Sequence, residues 1–314
     1  MTDGRVVVTG GAGRFGRYVV DEFLGTYDVT VVDKVRPDRE VRHVVADVLD
    51  LPAISRALKE ADAVLHLAGI DSGIEASEHD YFETNVQGTW NVLAAAEALG
   101  ARKVIVCSSI AAFGLEAVEP RRIPDYLPFD EAHPLRPDVA YDLSKQVCET
   151  VAASFARRGR MSVICLRPAW IIFPDKVHDF DRRARIADGD APLPSDHRPP
   201  PPHRAYVRPD DAARCFRLAL ECDVGPYDVF NVGASDTMSP APTLEFMRKT
   251  YGKRIPTRDP AIFERNPRAA SFSNEHACRV LGWTPTGDWE AFVRQTASPI
   301  EQEVRHDQQS GSLA

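Results

Sequence analysis

Hydrophobic residues follow two alternating patterns through the first half of the chain. Short runs of apolar and β-branched residues predict strands at residues 6–8, 29–32, 41–46, 63–67, 104–107 and 162–166. Between them, apolar residues at helical spacing predict helices at residues 17–24, 53–60, 81–99 and 141–157. Strands this apolar, separated by helices, indicate a parallel sheet that is covered on both faces. The sequence therefore predicts the α/β fold class.

The pattern changes after Pro168. Residues 174–202 are rich in proline and charge, and they end in a run of prolines at 199–202 that favours extended structure and cannot continue a helix. This segment is either a surface loop or a rim over a substrate cleft. Farther along, the pattern predicts helices at residues 210–220, 243–251 and 275–281 and a strand at 229–232, and from residue 298 we expect a polar, loosely held tail.

Composition excludes several classes of protein. The 314 residues are enough for one large domain or two small ones. No stretch approaches the roughly 18 apolar residues of a membrane helix, and a net charge of −8 gives no sign of a basic nucleic-acid-binding face. The first residues lack the features of a signal peptide, and the cysteines are scattered without a Cys-x-x-Cys pair. We therefore expect a cytoplasmic protein with no metal, nucleic-acid or membrane partner.

A glycine-rich turn lies between the first predicted strand and the first predicted helix. Gly10, Gly13 and Gly16 fit the spacing G-x-x-G-x-x-G, and Gly11 with the last two also fits G-x-G-x-x-G. Such a turn lets the backbone approach a pyrophosphate closely and points the free N–H groups of the helix at it. The turn predicts a dinucleotide cofactor on a Rossmann-type, doubly wound parallel sheet; the alternative is a glycine turn that binds no cofactor.

Asp33 ends the second predicted strand, about 20 residues after the turn, where an acid can bind the adenosine ribose 2′-hydroxyl. A carboxylate there repels a 2′-phosphate, so the sequence predicts NAD rather than NADP. Arg14 and Lys34 are nearby cations that would weaken this preference.

Tyr141 and Lys145 begin the long helix predicted at 141–157. Side chains at i and i+4 lie on one helix face, and a cation near a phenol lowers its pKa from about 10, which makes tyrosine a usable acid or base. Ser109 follows an apolar strand, at the edge where parallel sheets bind ligands. The three residues are candidate catalytic groups; the alternative for Tyr141 and Lys145 is an ordinary amphipathic pair.

With these features the chain resembles the extended short-chain dehydrogenase/reductase family of NAD-dependent epimerases and dehydratases, over residues from about 5 to about 290. The likeness rests on six motifs in the order of the family: the turn at residues 9–16, Asp33, residues 46–48, residues 66–69, Asn85 with Gly88 and Thr89, and Ser108 and Ser109 with Tyr141 and Lys145.

The resemblance implies a role for each matching residue. The cofactor would be bound by Gly10, Gly13, Arg14, Phe15, Gly16, Asp33, Asp47, Val48, Leu67, Ala68, Gly69, Tyr141 and Lys145. Among these, Asp47 and Val48 would flank the adenine and Lys145 would hold the nicotinamide ribose. Ser109 would orient the substrate and Tyr141 would exchange its proton, while Asn85 would either be structural or support the site. The resemblance also implies a homodimer whose subunits pair through the helices at 81–99 and 141–157.

Two departures from the family limit the choice of reaction. Dehydratases carry an acidic pair after the active-site serine, whereas this chain has Ile110 and Ala111. Nucleotide-sugar epimerases read R-x-x-N-x-x-G-P where this chain has Trp170 and Phe173 at the asparagine and glycine positions. The two aromatic residues form either an apolar wall for a smaller substrate or part of the core.

Several polar residues have two interpretations each. Arg204 and Arg208 either bind an anionic group of the substrate or form exposed salt bridges. Asp210 or Asp211 is expected to cap the helix that follows. His66, at a strand end, is interpreted as packing around the cofactor in preference to a catalytic histidine.

The leading functional hypothesis is an NAD-dependent oxidoreductase acting on a secondary alcohol of a sugar or sugar acid. The second is a sugar or nucleotide-sugar epimerase, and the third is a protein that senses NAD(H) without turnover. We expect residues 1–167 and 205–233 to form the NAD-binding domain. Residues 168–204 and 234–297 would form a smaller substrate-binding region, and residues 298–314 a polar tail.

Overall fold

A seven-stranded parallel sheet lies at the centre of the protein, as seen in a computed structural model that describes residues 4–115, 122–188 and 202–296. Its strand order is β3-β2-β1-β4-β5-β6-β9, and a second sheet pairs β7 with β8. The strands are β1 (Arg5–Thr9), β2 (Asp28–Asp33), β3 (Arg42–Val45), β4 (Ala63–His66), β5 (Lys103–Cys107), β6 (Ser162–Pro168), β7 (Trp170–Ile171), β8 (Tyr206–Val207) and β9 (Tyr227–Val232). The chain reverses its direction of winding between β1 and β4, which is where such sheets bind ligands.

Helices cover both faces of the large sheet. The α-helices are α1 (Gly16–Phe23), α2 (Leu51–Ala57), α3 (Glu78–Tyr81), α4 (Gly88–Leu99), α5 (Ala140–Arg157), α6 (Val177–Asp188), α7 (Pro209–Glu221), α8 (Thr243–Tyr251), α9 (Pro260–Arg265), α10 (Glu275–Leu281) and α11 (Trp289–Gln295). One core lies between the sheet and α1, α7 and α10, and the other between the sheet and α2, α4 and α5. The predicted α/β, doubly wound parallel sheet is thus confirmed.

The predicted helix at 81–99 is longer and less regular than the pattern indicated. Helical structure runs from Glu78 to Leu99, but a π-helical segment, Phe82–Gln87, separates α3 from α4. The side chain of Ser77 and the carboxylate of Asp80 form a capping box that starts the run. A π-helical turn rotates the residues that follow it, and such turns occur often at functional sites.

The first part of residues 174–202, interpreted as a surface loop or a rim over the cleft, is helical in the structure and so is not simply a loop. A 3-10 turn at Pro174–Lys176 leads into α6, which contains no proline. Val177 and Ala184 are fully buried on one side of this helix. Arg183 pairs with Asp179 at 2.6 Å across one turn of it. Residues 189–201, with most of the proline run, lie outside the described residues.

The C-terminal region packs on its own apolar clusters beside the carboxyl ends of the strands. One cluster contains Phe129, Phe246 and Phe272, and the other contains Tyr206 and Trp289. The helices α9 and α11 in this region were not predicted, and the tail predicted from residue 298 lies outside the described residues. Among the described helices, none is long and apolar enough to cross a bilayer. The division into two domains stays a prediction.

Candidate active site

The glycine turn leaves no room for side chains where the chain passes closest to itself. Gly10 has a φ of 74°, and a Cβ there would lie 2.6 Å from the backbone nitrogen of Ala68. A Cβ at Gly16 would overlap the carbonyl of Gly10. Because the helix α1 begins at Gly16, its free N–H groups face the same edge of the sheet. The turn therefore has the close approach and the helix end that a pyrophosphate needs.

Asp33 is fixed against this turn. Its carboxylate accepts a hydrogen bond from the backbone N–H of Ala12 at 3.0 Å and from that of Val35 at 3.2 Å. The two cations that were expected to weaken the preference for NAD both have carboxylate partners. Lys34 lies 3.5 Å from Asp47, and Arg14 pairs with Asp175. Neither cation is therefore an uncompensated charge beside Asp33.

Asp47 and Val48 follow β3 on the same edge. The Asp47 carboxylate accepts from the backbone N–H of Leu49 at 3.0 Å, and Val48 is buried against Gly88, where a Cβ would lie 2.7 Å from it. Gly88 therefore allows α4 to approach Val48 closely.

His66 is a packing residue in the structure. Its ring nitrogens lie 2.8 Å from Thr9 Oγ1 and 3.1 Å from Thr89 Oγ1, and the residue is buried. Burial, together with the charge of Lys145, lowers the pKa of His66 to about 3. The imidazole is therefore neutral at physiological pH and ties β4 to β1 and α4. Leu67 and Ala68 continue from it, with the Leu67 N–H donating to the Thr9 carbonyl at 3.0 Å.

Tyr141 and Lys145 lie on the first turns of α5. The ammonium nitrogen of Lys145 is 5.7 Å from the centre of the Tyr141 ring and donates to the carbonyl oxygen of Cys107 at 3.1 Å. A Cβ at Gly69 would lie 3.8 Å from that nitrogen. The lysine is therefore brought to the ends of β4 and β5, next to the strand end that carries the glycine turn.

Ser109 begins a 3-10 turn, Ile110–Phe113, that packs against α5. Its hydroxyl oxygen accepts from the backbone N–H of Ala111 at 3.1 Å. The ring of Tyr81 packs edge-on against Tyr141, with ring centres 5.6 Å apart. Sequence reasoning missed Tyr81, because nothing in the spacing of the two tyrosines along the chain indicates that they meet.

Asn85, in the π-helical segment, connects two parts of the site. Its side chain accepts from the Ile70 N–H at 2.7 Å and donates to the Ile70 carbonyl at 3.1 Å. It also donates to the Ser144 hydroxyl at 3.0 Å. The residue thus joins the segment after β4 to α5, next to Lys145.

The two aromatic residues after β6 lie in different surroundings. Phe173 packs on the glycine-turn side, where the Arg14 guanidinium is 4.1 Å from its ring centre and the Tyr18 ring is 5.9 Å away. Trp170 is half-buried and packs edge-on against Phe180 of α6 at 5.5 Å. Trp170 therefore packs on α6, and Phe173 packs beside the glycine turn.

The two candidate anion-binding arginines also differ. Arg204 is 5% exposed, has a φ of 53°, and holds its guanidinium 5.7 Å from the Phe246 ring centre. Arg208 pairs with Asp210 at 3.1 Å and donates to Gln295 at 3.0 Å. Of its two interpretations, the structure shows the salt bridge.

The capping role expected for Asp210 or Asp211 is wrong. The N-cap of α7 is Arg208, without a side-chain capping bond, and both aspartates lie in the first turn. Asp211 accepts instead from the N–H and the hydroxyl of Thr286 at 2.8 and 3.0 Å. It therefore ties α7 to the segment that precedes α11, because its carboxylate finds a tertiary donor.

Comparisons with known proteins agree with this arrangement. The model of the NAD dependent epimerase/dehydratase family matches residues 6–233. A UDP-glucose 4-epimerase of Streptococcus mutans is 30% identical, covering 90% of this chain and 92% of that protein. An L-arabinose 1-dehydrogenase (NAD(P)(+)) of Haloferax volcanii is 30% identical, covering 74% and 89%. The crystal structure of a short-chain dehydrogenase/reductase superfamily protein of Agrobacterium tumefaciens with bound NAD is 25% identical, covers 97% and 99%, and has a TM-score of 0.72.

The chain belongs to the NAD-dependent epimerase/dehydratase family, within the extended short-chain dehydrogenases/reductases. It is an NAD-dependent enzyme, and the resemblance read from its motifs is confirmed. Its relatives include both epimerases and sugar dehydrogenases.

Proposed function

We propose that the protein is an NAD-dependent dehydrogenase that oxidises a secondary alcohol of a sugar or sugar acid and releases NADH. The observation that carries the proposal is the arrangement of Lys145, with its ammonium nitrogen 5.7 Å from the Tyr141 ring and bonded to the end of β5. It places a fixed cation beside a phenol at the edge of the sheet where the glycine turn lies.

The residues present fit the cofactor. The close approach at Gly10 and Gly16 is a cradle that a Cβ would fill, and the Asp33 carboxylate is held at the turn. In this proposal the turn residues Gly10, Gly13, Arg14, Phe15 and Gly16 hold the pyrophosphate. Asp33 binds the adenosine ribose, and the remaining contacts come from Asp47, Val48, Leu67, Ala68, Gly69, Tyr141 and Lys145. NAD supplies the hydride acceptor when bound.

The side chains of the protein would handle the proton. Tyr141 accepts the proton of the substrate hydroxyl, because the neighbouring charge of Lys145 stabilises its phenolate. Ser109 donates a hydrogen bond to the substrate oxygen and orients it. Asn85 keeps the segment after β4 and the first turns of α5 in register, through its bonds to Ile70 and Ser144.

The substrate region is proposed to favour a small sugar over a nucleotide sugar. Trp170 stands where nucleotide-sugar epimerases have asparagine, and its indole is packed against Phe180. A large, rigid ring at this position reduces the space for a ligand. The buried Arg204 would bind a carboxylate of a sugar acid, and Arg208, already paired with Asp210, would support it from the rim. Phe173 would complete the wall on the cofactor side.

A sugar epimerase is the second candidate function. The epimerase of Streptococcus mutans matches 90% of the chain, and the same three catalytic candidates would serve both reactions. The two functions differ in the fate of the oxidised sugar: a dehydrogenase releases it, whereas an epimerase reduces it again on the opposite face.

A substrate screen with NAD separates the candidates. Aldoses, uronic acids and UDP-sugars are incubated with the enzyme, and NADH is followed by its absorbance while the sugars are analysed by chromatography. Accumulating NADH with a small sugar supports the dehydrogenase. Interconversion of sugars without net NADH indicates the epimerase, and binding of NAD(H) without turnover of any sugar indicates a sensor. Tyr141→Phe is the matched control.

A further inference from the structure

Glu149 lies one turn beyond Lys145 on the helix face of α5 that carries the candidate catalytic residues. We call this face the catalytic stripe. Tyr141, Lys145 and Glu149 are spaced at i, i+4 and i+8, so the three side chains lie along one helix face. Lys145 donates to the carbonyl of Cys107, and the next residue of that segment, Ser108, donates its hydroxyl to Glu149 Oε1 at 2.5 Å. Consecutive residues at the end of β5 are thus bonded to consecutive turns of α5.

Glu149 is a buried carboxylate with a bidentate cationic partner. Arg167 of β6 donates through Nε to Oε1 at 2.8 Å and through Nη2 to Oε2 at 2.7 Å. Both residues are 4% exposed, and the guanidinium lies 4.6 Å from the centre of the Phe113 ring. Two parallel bonds between buried groups make this a tightly coupled pair whose charges cancel locally.

The charge of Glu149 is near enough to Tyr141 to influence its ionisation. Eight residues of helix separate them by about 12 Å, and in the protein interior opposite or like charges at that range still interact appreciably. Without Arg167, a carboxylate one turn beyond Lys145 would oppose the effect of the ammonium on the phenol. With Arg167 in place, the pair is neutral.

Several titratable groups around this stripe stay neutral near physiological pH. Burial lowers the pKa of His66 on β4 to about 3, and it raises the pKa of Cys107 on β5 to about 11. Burial likewise raises the pKa of Cys148 on α5, Cys165 on β6 and Tyr227 on β9.

Three further carboxyl groups of the described residues lie in this neighbourhood. Asp142 is on α5 itself, Asp71 follows β4 near Cys107, and Glu131 precedes α5 and accepts from the Asn231 N–H at 2.7 Å. Burial raises the pKa of Glu131, which favours its neutral form. Glu131 also lies close enough to Arg167 for their charges to interact, whereas Glu149 holds Arg167 through two hydrogen bonds.

We propose, building on the roles given above to Tyr141 and Lys145, that Arg167 cancels the charge of Glu149 and so prevents it from opposing the effect of Lys145 on Tyr141. Glu149 and Arg167 are positioning residues: they act through their charges on the Tyr141–Lys145 pair, without touching substrate or cofactor. The buried pair therefore sets the electrostatic environment of the base as well as joining β5, β6 and α5.

Ionisation of Tyr141 can be measured without knowing the substrate. Phenolate formation is followed at 295 nm in the full-length chain with NAD present, and each protein is compared with its own Tyr141→Phe counterpart so that the other tyrosines cancel. Arg167→Met leaves the Glu149 charge uncompensated and raises the midpoint by about half to one pH unit. Glu149→Gln leaves the Arg167 charge uncompensated and lowers it by a similar amount.

Three variants serve as controls. The double variant Glu149→Gln/Arg167→Met removes both charges, and Arg167→Lys keeps the positive charge; both should retain the wild-type midpoint. Ser108→Ala removes a bond to Glu149 without changing charge, and it too should leave the midpoint unchanged. A shift in the same direction for both single charge variants, or a shift in Ser108→Ala as large as theirs, would show that packing rather than charge is measured and overturns the proposal.

Failure of a variant to fold, and failure of the function proposed above, can both be distinguished from failure of this inference. If either single variant does not fold because a lone charge is buried, a displaced midpoint in the double variant or in Arg167→Lys still overturns the proposal. If Lys145→Met shifts the midpoint while the Glu149 and Arg167 variants do not, only the present inference fails. If Lys145→Met leaves the midpoint unchanged, the proposed roles of Tyr141 and Lys145 fail with it.

Discussion

The carboxylate of Asp33 accepts a hydrogen bond from the backbone N–H of Ala12, inside the glycine turn, at 3.0 Å. A negative charge is therefore held at the end of β2, beside the glycine turn that follows β1. The neighbouring cations of Arg14 and Lys34 are paired with Asp175 and Asp47 and do not offset it. This arrangement favours a ribose hydroxyl and opposes a 2′-phosphate.

We predict that NAD binds more tightly than NADP. Asp33→Asn keeps an acceptor for the Ala12 N–H but removes the charge, and it should reduce the preference by about tenfold, or about 1.4 kcal/mol. The dissociation constants of both cofactors are measured by fluorescence titration in the two proteins. Equal or tighter binding of NADP by the wild-type protein would contradict the role of Asp33.

The pH dependence of stability should report on His66. Its pKa is about 3 in the folded protein against an ordinary value of 6.5, so between these values the unfolded chain binds a proton that the folded chain does not. Stability that is present above pH 6.5 is therefore lost as the pH falls, by about 1.4 kcal/mol per pH unit.

The test compares urea unfolding of the wild-type protein and of His66→Gln at pH 7.5 and pH 5.5. The wild-type protein should lose about 1.4 kcal/mol more than the variant between these two values. Equal losses would mean that His66 is protonated in the folded state, or that its burial is not maintained in solution.

A homodimer is predicted from the resemblance and from exposed apolar surface on the helical run 78–99. The side chains of Phe82 and Trp90 are 37% and 43% exposed, which a second copy of this helix would cover. Light scattering should give twice the chain mass of 34.7 kDa. Trp90→Arg should shift the protein toward monomer, whereas Leu244→Arg, at an equally exposed position on α8, should not. A wild-type monomer at micromolar concentration refutes the prediction.

Trp170 and Phe173 should have separable effects. Trp170 packs on α6, so Trp170→Ala should raise the KM for the sugar by about tenfold while NAD binding is retained. Phe173 packs on Arg14 and Tyr18, so Phe173→Ala should weaken NAD binding as well. Steady-state kinetics and NAD titration of both variants check this. Identical profiles for the two would show that the residues form one wall.

Much of the sheet could be predicted because its strands are buried on both faces and read as apolar runs. The helix α6 could not be predicted, because proline-rich sequence lies around it. The spacing of Asp179 and Arg183 was nevertheless that of an ion pair on a helix. The helices α9 and α11 have only six and seven residues, and their apolar spacing was not recognised, although that of the equally short α10 was. Their N-caps, Asp259 and Asp288, were the available signals.

The site was predictable only where its residues lie close together in the sequence. The spacing of Tyr141 and Lys145 placed both on one helix face. Their contacts with Cys107 and Tyr81 depend on how α5 packs against β5 and the end of α3, which no local pattern records. Glu149 could have been read from the same spacing, but its partner Arg167 comes from another strand.

Turnover and NAD binding in Tyr141→Phe test the central claim most directly. The substitution removes the hydroxyl and keeps the ring that packs against Tyr81. Turnover of the sugar identified by the screen should fall by a factor of about a hundred to ten thousand, while the dissociation constant for NAD stays close to that of the wild-type protein. Lys145→Met should impair both. A Tyr141→Phe enzyme that turns over at the wild-type rate would show that Tyr141 is not the base and would contradict the account.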